Sequence, residues 1–186
     1  MALEIEAKIL EVDVAALETR LQDIGAKRTS EHVFRIRNFD MPGFLLRADH
    51  AWVRLRTDGT HTTLAYKKQH ESHMEEMETH VGDFETTAAL LRAIGMIEKH
   101  SQEKKRTTWK RGSITYDIDT WPLIPTFLEV EGDNWAEVER AVRELGYDWE
   151  KRMVCPASKI YDHYGLPWND FKRLTFSEQI KKDEGE

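Results

Sequence analysis

The chain has 186 residues, a single cysteine (Cys155) and a formal net charge of −7. That length suits one folded domain with a sizeable core, and the lone cysteine excludes an intrachain disulfide or a cysteine-built zinc site. The acidic balance argues against nucleic-acid or acidic-membrane binding over the whole surface, no apolar run approaches the ~20 residues of a membrane span, and no basic-then-apolar leader opens the sequence, so a cytoplasmic protein is expected.

The first predicted element is a strand near residues 3–10, in which Glu4, Glu6 and Lys8 share one face and Leu3, Ile5, Ala7 and Ile9 the other. A helix follows from Asp13 to Gly25, with Leu17, Leu21 and Ile24 at helical spacing. Alternating segments then mark strands near 33–39, 51–57, 62–68 and 74–81, with Asp58-Gly59 as a hairpin turn between the second and third. A second helix runs from Asp83 to Gly95. Strands near 103–110 and 113–120 are joined at Arg111-Gly112-Ser113, and another covers 126–131. A third helix follows Asp133 and ends at Gly146, and a short one covers Ser158 to Tyr164. About eight strands with three main helices imply an α+β fold whose mostly antiparallel sheet is able to close into a barrel. Residues 1–176 are expected to form one domain, and 177–186 a polar, frayed tail.

Charged residues recur at alternate positions on strand after strand: Arg54 and Arg56, Glu76 and Glu78, Lys104 and Arg106, Asp117 and Asp119, Glu129 and Glu131, with Lys67 closing its own strand. Any one such pair also suits the wet face of a half-buried strand. The helices change the expectation, because each must bury an apolar stripe and the apolar face of the sheet is the surface on offer. The charged face is then the opposite one, lining the concave side. Buried ions must be paired or ligated, and two arginines or two glutamates side by side cannot neutralise themselves. Arginine and lysine suit phosphate, whereas carboxylates without histidine or cysteine suit Mg²⁺ or Mn²⁺. A polyphosphate carrying a divalent metal satisfies both sets.

With these residues in this order, the chain resembles the CYTH superfamily, the triphosphate tunnel metalloenzymes, which includes thiamine and inorganic triphosphatases and class IV adenylyl cyclases. The likeness rests on the ExExK of Glu4, Glu6 and Lys8, the RxR of Arg54 and Arg56, Lys67, the KxR of Lys104 and Arg106, and the FLEVE of Phe127 to Glu131. It implies an eight-stranded antiparallel tunnel with helices outside. It also implies that Lys8, Arg54, Arg56, Lys67, Lys104 and Arg106 hold a triphosphate. Glu4, Glu6, Asp117, Asp119, Glu129 and Glu131 become candidates for holding metal or orienting water, with Glu4, Glu6 and Lys8 closest to catalysis. Glu76 and Glu78 match a further acidic strand. Lys159 resembles a lysine on the family's C-terminal helix, and equally suits a solvent-facing helical position. The chain departs from the family at Trp121-Pro122-Leu123-Ile124-Pro125-Thr126, where prolines stiffen the approach to FLEVE.

The expected function is metal-dependent hydrolysis of a phosphoanhydride in a small triphosphate. The alternatives are an adenylyl cyclase using the same phosphate and metal sites, and a non-catalytic polyphosphate- or nucleotide-binding module. His70, His73 and His80 lie in a polar loop and the next strand, with spacing unsuited to a metal site. Cys155 has no base partner in sequence and reads as buried.

Overall fold

The computed structural model describes residues 5–70 and 74–182. Glu4 and His73 therefore lie outside the described residues. Ten strands and five α-helices occur in the order β1 (Ile5–Ile9), α1 (Val14–Asp23), β2 (Lys27–Asp40), α2 (Leu45–Ala48), β3 (Ala51–Thr57), β4 (Thr62–Gln69), β5 (Met74–Val81), α3 (Phe84–Ala93), β6 (Ile97–Arg111), β7 (Ile114–Thr120), β8 (Phe127–Gly132), α4 (Trp135–Glu144), α5 (Ala157–His163), β9 (Phe171–Leu174) and β10 (Gln179–Lys181). The described residues form two compact units, one from residues 5–32 and Lys105–Trp168, the other from residues 33–70, 74–104 and 169–182. The long strands β2 and β6 contribute to both.

In the first unit the strands run β1-β8-β7-β6, all antiparallel. Their apolar positions (Ala7, Ile9, Tyr116, Ile118, Leu128 and Val130) form one core with Leu17 and Leu21 of α1 and Val138, Ala141 and Val142 of α4. The helices start where capping chemistry is available: Asp13 accepts from Ala16 N at 3.1 Å and Asn134 from Glu137 N at 3.0 Å. Gly25, with φ +78°, turns the chain out of α1 in a conformation costly for a side chain. At Gly132 the constraint is space, since a Cβ there would meet Ile114 Cδ1 at 2.7 Å and Val138 Cγ2 at 3.2 Å. A side chain there would have to displace the ends of Ile114 on β7 and Val138 on α4.

In the second unit the antiparallel order is β2-β3-β4-β5. Phe39, Leu55, Phe84, Ala88 and Leu91 form its core, so α3 covers the apolar face of these strands. Asp83 caps α3 by accepting from Thr86 N at 2.6 Å.

Three differences from the sequence reading have local causes. The strands β2 and β6 begin at Lys27 and Ile97, well before 33 and 103, because residues 27–32 and 98–103 are polar on both faces and hide the two-residue period. The third helix is capped by Asn134 rather than Asp133. The segment from 177 is not wholly frayed: Gln179–Lys181 pairs with β9, which pairs in parallel with Ser101 and Gln102 of β6. Backbone hydrogen bonds stabilise that strand although its side chains are exposed.

Candidate functional site

The charged side chains stand opposite the helix-covered faces, as the alternation requires. In the first unit five carboxylates (Glu6, Asp117, Asp119, Glu129 and Glu131) share a strand face with two cations, Lys8 and Arg106. Lys8 is 2% exposed and pairs with Glu6 and with Glu129 Oε2, the latter at 3.1 Å. Arg106 donates from Nε and Nη2 to the two oxygens of Asp119, each at 2.6 Å. Its Nη1 reaches Asp117 Oδ2 at 2.6 Å, and Nη2 also reaches Glu129 Oε1 at 2.9 Å. Thr108 donates to the second Asp117 oxygen at 2.5 Å. The bidentate fork of arginine makes this three-carboxylate junction possible; a lysine ammonium has no matching geometry.

Burial opposes these charges and the pairs hold them. For Lys8, burial alone lowers the pKa, but Glu129 and Glu6 more than offset it and keep the ammonium above its ordinary range. Arg106 is likewise raised, Asp119 and Glu129 overcoming its desolvation. Asp117 moves the other way: burial raises its pKa, and Arg106 recovers only part of that.

The segment before α5 runs beside this face. Met153 exchanges two backbone hydrogen bonds with Lys8, both at 2.9 Å. Trp121 is buried, donates from Nε1 to Asp119 Oδ2 at 3.4 Å and packs against Trp168 at a centroid distance of 5.5 Å. Tyr161 of α5 contacts both rings and donates to Pro122 O at 2.7 Å. The proline-stiffened 121–126 turn thus anchors α5. Cys155 is half-buried, and burial raises its thiol pKa.

In the second unit the balance is reversed, with four cations (Arg54, Arg56, Lys67 and Lys104) and two carboxylates (Glu76 and Glu78). Arg54 Nη2 lies 2.7 Å from Glu76 and 3.2 Å from Glu78. Lys67 is 2.7 Å from Glu76, and Arg56 3.4 Å from Glu78. Glu76 is partly desolvated, which raises its pKa, but Lys67 and Arg54 together bring it below the ordinary carboxylate value. Thr63 donates to Glu78 at 3.1 Å. Phe34 serves both Arg56 and Lys104, whose charged groups lie 5.2 and 5.9 Å from its ring centroid.

The structure thus brings together Glu6, Lys8, Arg106, Asp117, Asp119 and Glu129 in one unit, and Arg54, Arg56, Lys67, Glu76 and Glu78 in the other. Lys105, next to the KxR pair, pairs with Glu31 at 3.2 Å. Lys159 is mostly exposed and pairs with Asp162 at 2.9 Å, the solvent-facing arrangement. His70 pairs with Glu75 at 2.9 Å. Residues the sequence reading passed over are Phe34, Asn38, Thr63, His100, Gln102 and Thr108. His100 and Gln102 could have been found by continuing the alternate positions of β6 back from Lys104 and Arg106, whereas Asn38 is placed by its cross-strand register with Arg54.

For a divalent ion the donor chemistry fits, since the acidic face offers hard oxygen atoms alone. Glu6 stands directly opposite Glu131 across β1 and β8, and Asp117 opposite Glu129 across β7 and β8. Like charges directly opposed destabilise a sheet, and a bound cation relieves them. Among the described residues no three acidic, histidine or cysteine groups are disposed as a ready cage. The carboxylates close on Lys8 and Arg106 instead.

The CYTH domain family model matches residues 2–160. The chain belongs to the CYTH family. Solved structures agree on the fold. A Vibrio parahaemolyticus protein described as a candidate adenylate cyclase superposes with a TM-score of 0.74 at 14% identity, over 87% of this chain and 98% of that one. PH1012 from Pyrococcus horikoshii OT3 gives 0.69 at 20% identity, over 81% and 94%. HpAC1 from Hippeastrum, whose structure is described as revealing a dominant triphosphatase activity, gives 0.64 at 16% identity, over 89% and 96%. No curated protein sequence matches the chain. The CYTH domain here has the α+β architecture expected from the sequence, and no helix among the described residues is long and apolar enough to cross a membrane.

Proposed function

We propose that this CYTH domain is a divalent-metal-dependent triphosphatase that hydrolyses a phosphoanhydride of a small triphosphate. The observation that carries the reading is the sorting of charge into one carboxylate-rich strand face and one cation-rich strand face, each opposite the face its helices cover. A carboxylate-rich face suits metal and a cation-rich face suits phosphate. The description of HpAC1 as having dominant triphosphatase activity supports hydrolysis over cyclisation.

In this reading Arg54, Arg56, Lys67 and Lys104 bind phosphate oxygens, their charges left in excess by Glu76 and Glu78. On the family resemblance Lys8 and Arg106 would also contact phosphate, their carboxylate partners being the residues that would hold a metal. Glu6, Asp117, Asp119, Glu129 and Glu131 would hold Mg²⁺ or Mn²⁺, joined by Glu4 on the family resemblance. When bound, such an ion would supply charge neutralisation at the phosphates and a more nucleophilic water. The role of Lys8 is electrostatic: it stabilises charge developing on the transferred phosphoryl group. Glu6, beside Lys8, orients the attacking water.

A product-resolved assay of inorganic triphosphate, thiamine triphosphate and nucleoside triphosphates, each with Mg²⁺ or Mn²⁺, tests this. Orthophosphate is the expected product. Cyclic nucleotide with pyrophosphate would identify a cyclase, and binding without any product a non-catalytic module.

A further inference from the structure

Two of the cations in the second unit share one aromatic ring. Phe34 of β2 has Arg56 Cζ 5.2 Å and Lys104 Nζ 5.9 Å from its ring centroid. The sheet order explains how one side chain reaches both, since β2 lies between β6, which carries Lys104, and β3, which carries Arg56. Ile36 stands directly opposite Arg56 across β2 and β3, so Ile36 and Phe34, two positions apart, share the cation-rich face. Strand β5 brings carboxylates to that face, with Glu76 2.7 Å from both Arg54 and Lys67. Strand β2 brings apolar groups there instead, Ile36 buried and Phe34 half-buried. Asp40, farther along β2, is fully buried and accepts from the backbone N–H groups of Met41, Leu46 and Arg47.

A carboxylate and a ring support a cation in different ways. A carboxylate cancels the charge of the cation that it holds and occupies its N–H donors, so an arriving phosphate competes with it. A ring attracts the cation through the negative face of its π-system, and the cation keeps its full charge for an anion. A cation already steadied in this way loses less freedom when the anion binds, which adds affinity through preorganisation. We propose that Phe34 is a positioning residue that holds Arg56 and Lys104 in the arrangement that receives a phosphate group. It acts through these two cations, which come from different strands, and not by contact with the substrate. This assignment rests on the triphosphate reading of Arg56 and Lys104 given above.

The test separates the ring's electrostatics from its bulk. Phe34 is replaced in the full chain by 4-fluoro-, 3,5-difluoro- and 3,4,5-trifluorophenylalanine, which keep the shape and apolar character of the ring while its face becomes steadily less negative. The dissociation constant of imidotriphosphate is measured for each by calorimetry with Mg²⁺ present, so the readout does not depend on turnover. Binding should weaken stepwise along the series, reaching about 5-fold for the trifluoro ring while the melting temperature stays near that of wild type. Phe34→Leu should weaken binding at least as much. A flat series would overturn the assignment, and so would binding that tightens with fluorination, because the ring would then be holding the cations away from phosphate. Loss in Phe34→Leu alone would likewise overturn it, leaving Phe34 as packing. If Phe34→Leu does not fold, the fluorinated series decides by itself. Failure of wild type to bind imidotriphosphate at all would defeat the triphosphate reading and this assignment with it, whereas a flat series with tight wild-type binding defeats this assignment alone.

Discussion

Lys8 and Glu129 stand directly opposite each other on neighbouring antiparallel strands, with Nζ 3.1 Å from Oε2. Both are buried, and Glu129 also accepts from Arg106. This pair ties the first strand of the chain to the carboxylate-rich face. Removing one member leaves the other with one buried partner fewer (Lys8 keeps Glu6, Glu129 keeps Arg106), which should cost part of the ~3–5 kcal/mol of an uncompensated buried ion. Lys8→Met should therefore lower the melting temperature by several degrees. Lys8→Met combined with Glu129→Gln should be less destabilised than the sum of the single changes. A double-mutant cycle by thermal denaturation measures this, and strict additivity would show that the two do not interact.

Arg106 pairs with both Asp117 and Asp119, each at 2.6 Å. Arg106→Lys cannot reproduce the fork to Asp119 together with the bonds to Asp117 and Glu129. It should destabilise the protein by about 2–4 kcal/mol, and Arg106→Met by more. Millimolar Mg²⁺ should recover part of the loss in Arg106→Met, because a divalent ion can take the place of the missing cation. Melting curves with and without Mg²⁺ check both statements; an equal loss with and without metal would speak against cation binding at these carboxylates.

Metal and triphosphate should bind with positive coupling. Without metal, Lys8 and Arg106 are held by Glu6, Asp117, Asp119 and Glu129. A metal that draws those carboxylates away frees the cations for phosphate, and by linkage triphosphate must raise metal affinity by the same factor. Calorimetric titration of a non-hydrolysable triphosphate should give at least about 10-fold tighter binding with saturating Mg²⁺, corresponding to about 1.4 kcal/mol of coupling. Equal affinities would place the phosphate contacts on the cation-rich face alone.

Stability should fall on mild acidification through His100. Its pKa is lowered to about 4 in the folded protein, against about 6.5 when unfolded. Between these values the unfolded chain binds the extra proton, so stability rises with pH across the window and is lost as pH drops through it. The contribution is on the order of 3 kcal/mol. His100→Gln, which keeps a neutral polar side chain but cannot titrate, should flatten the slope of urea-unfolding free energy between pH 6.5 and 4.5. An unchanged slope would assign the acid sensitivity to other groups.

Much of the fold was legible because the helices and strands carry different periods. Asp13 and Asp83 cap α1 and α3 where their position before an apolar period says they should, and Ala51–Thr57 and Met74–Val81 match the alternation in full. The face assignment was legible for a further reason: once Leu128 and Val130 lie under α4, Glu129 and Glu131 must point the other way. What the alternation could not show is who pairs with whom. Arg106 was expected to hold phosphate and Asp117 and Asp119 metal, whereas here they bind each other. That choice depends on cross-strand register, which a linear pattern leaves open. Asn38 and His100 were hidden because neutral polar residues on a strand give no charge signal. The strand at Gln179–Lys181 was hidden because its stability comes from backbone hydrogen bonds rather than from buried side chains.

The most direct test of the triphosphatase reading is steady-state orthophosphate release by Lys8→Met beside wild type, with Mg²⁺ and triphosphate at saturation and folding confirmed by near-ultraviolet circular dichroism. Wild type should release orthophosphate only when metal is present. A buried ammonium that stabilises phosphoryl charge is worth several kcal/mol in the transition state, so kcat of the folded variant should fall at least about 100-fold. A folded Lys8→Met enzyme turning over at the wild-type rate would contradict the account.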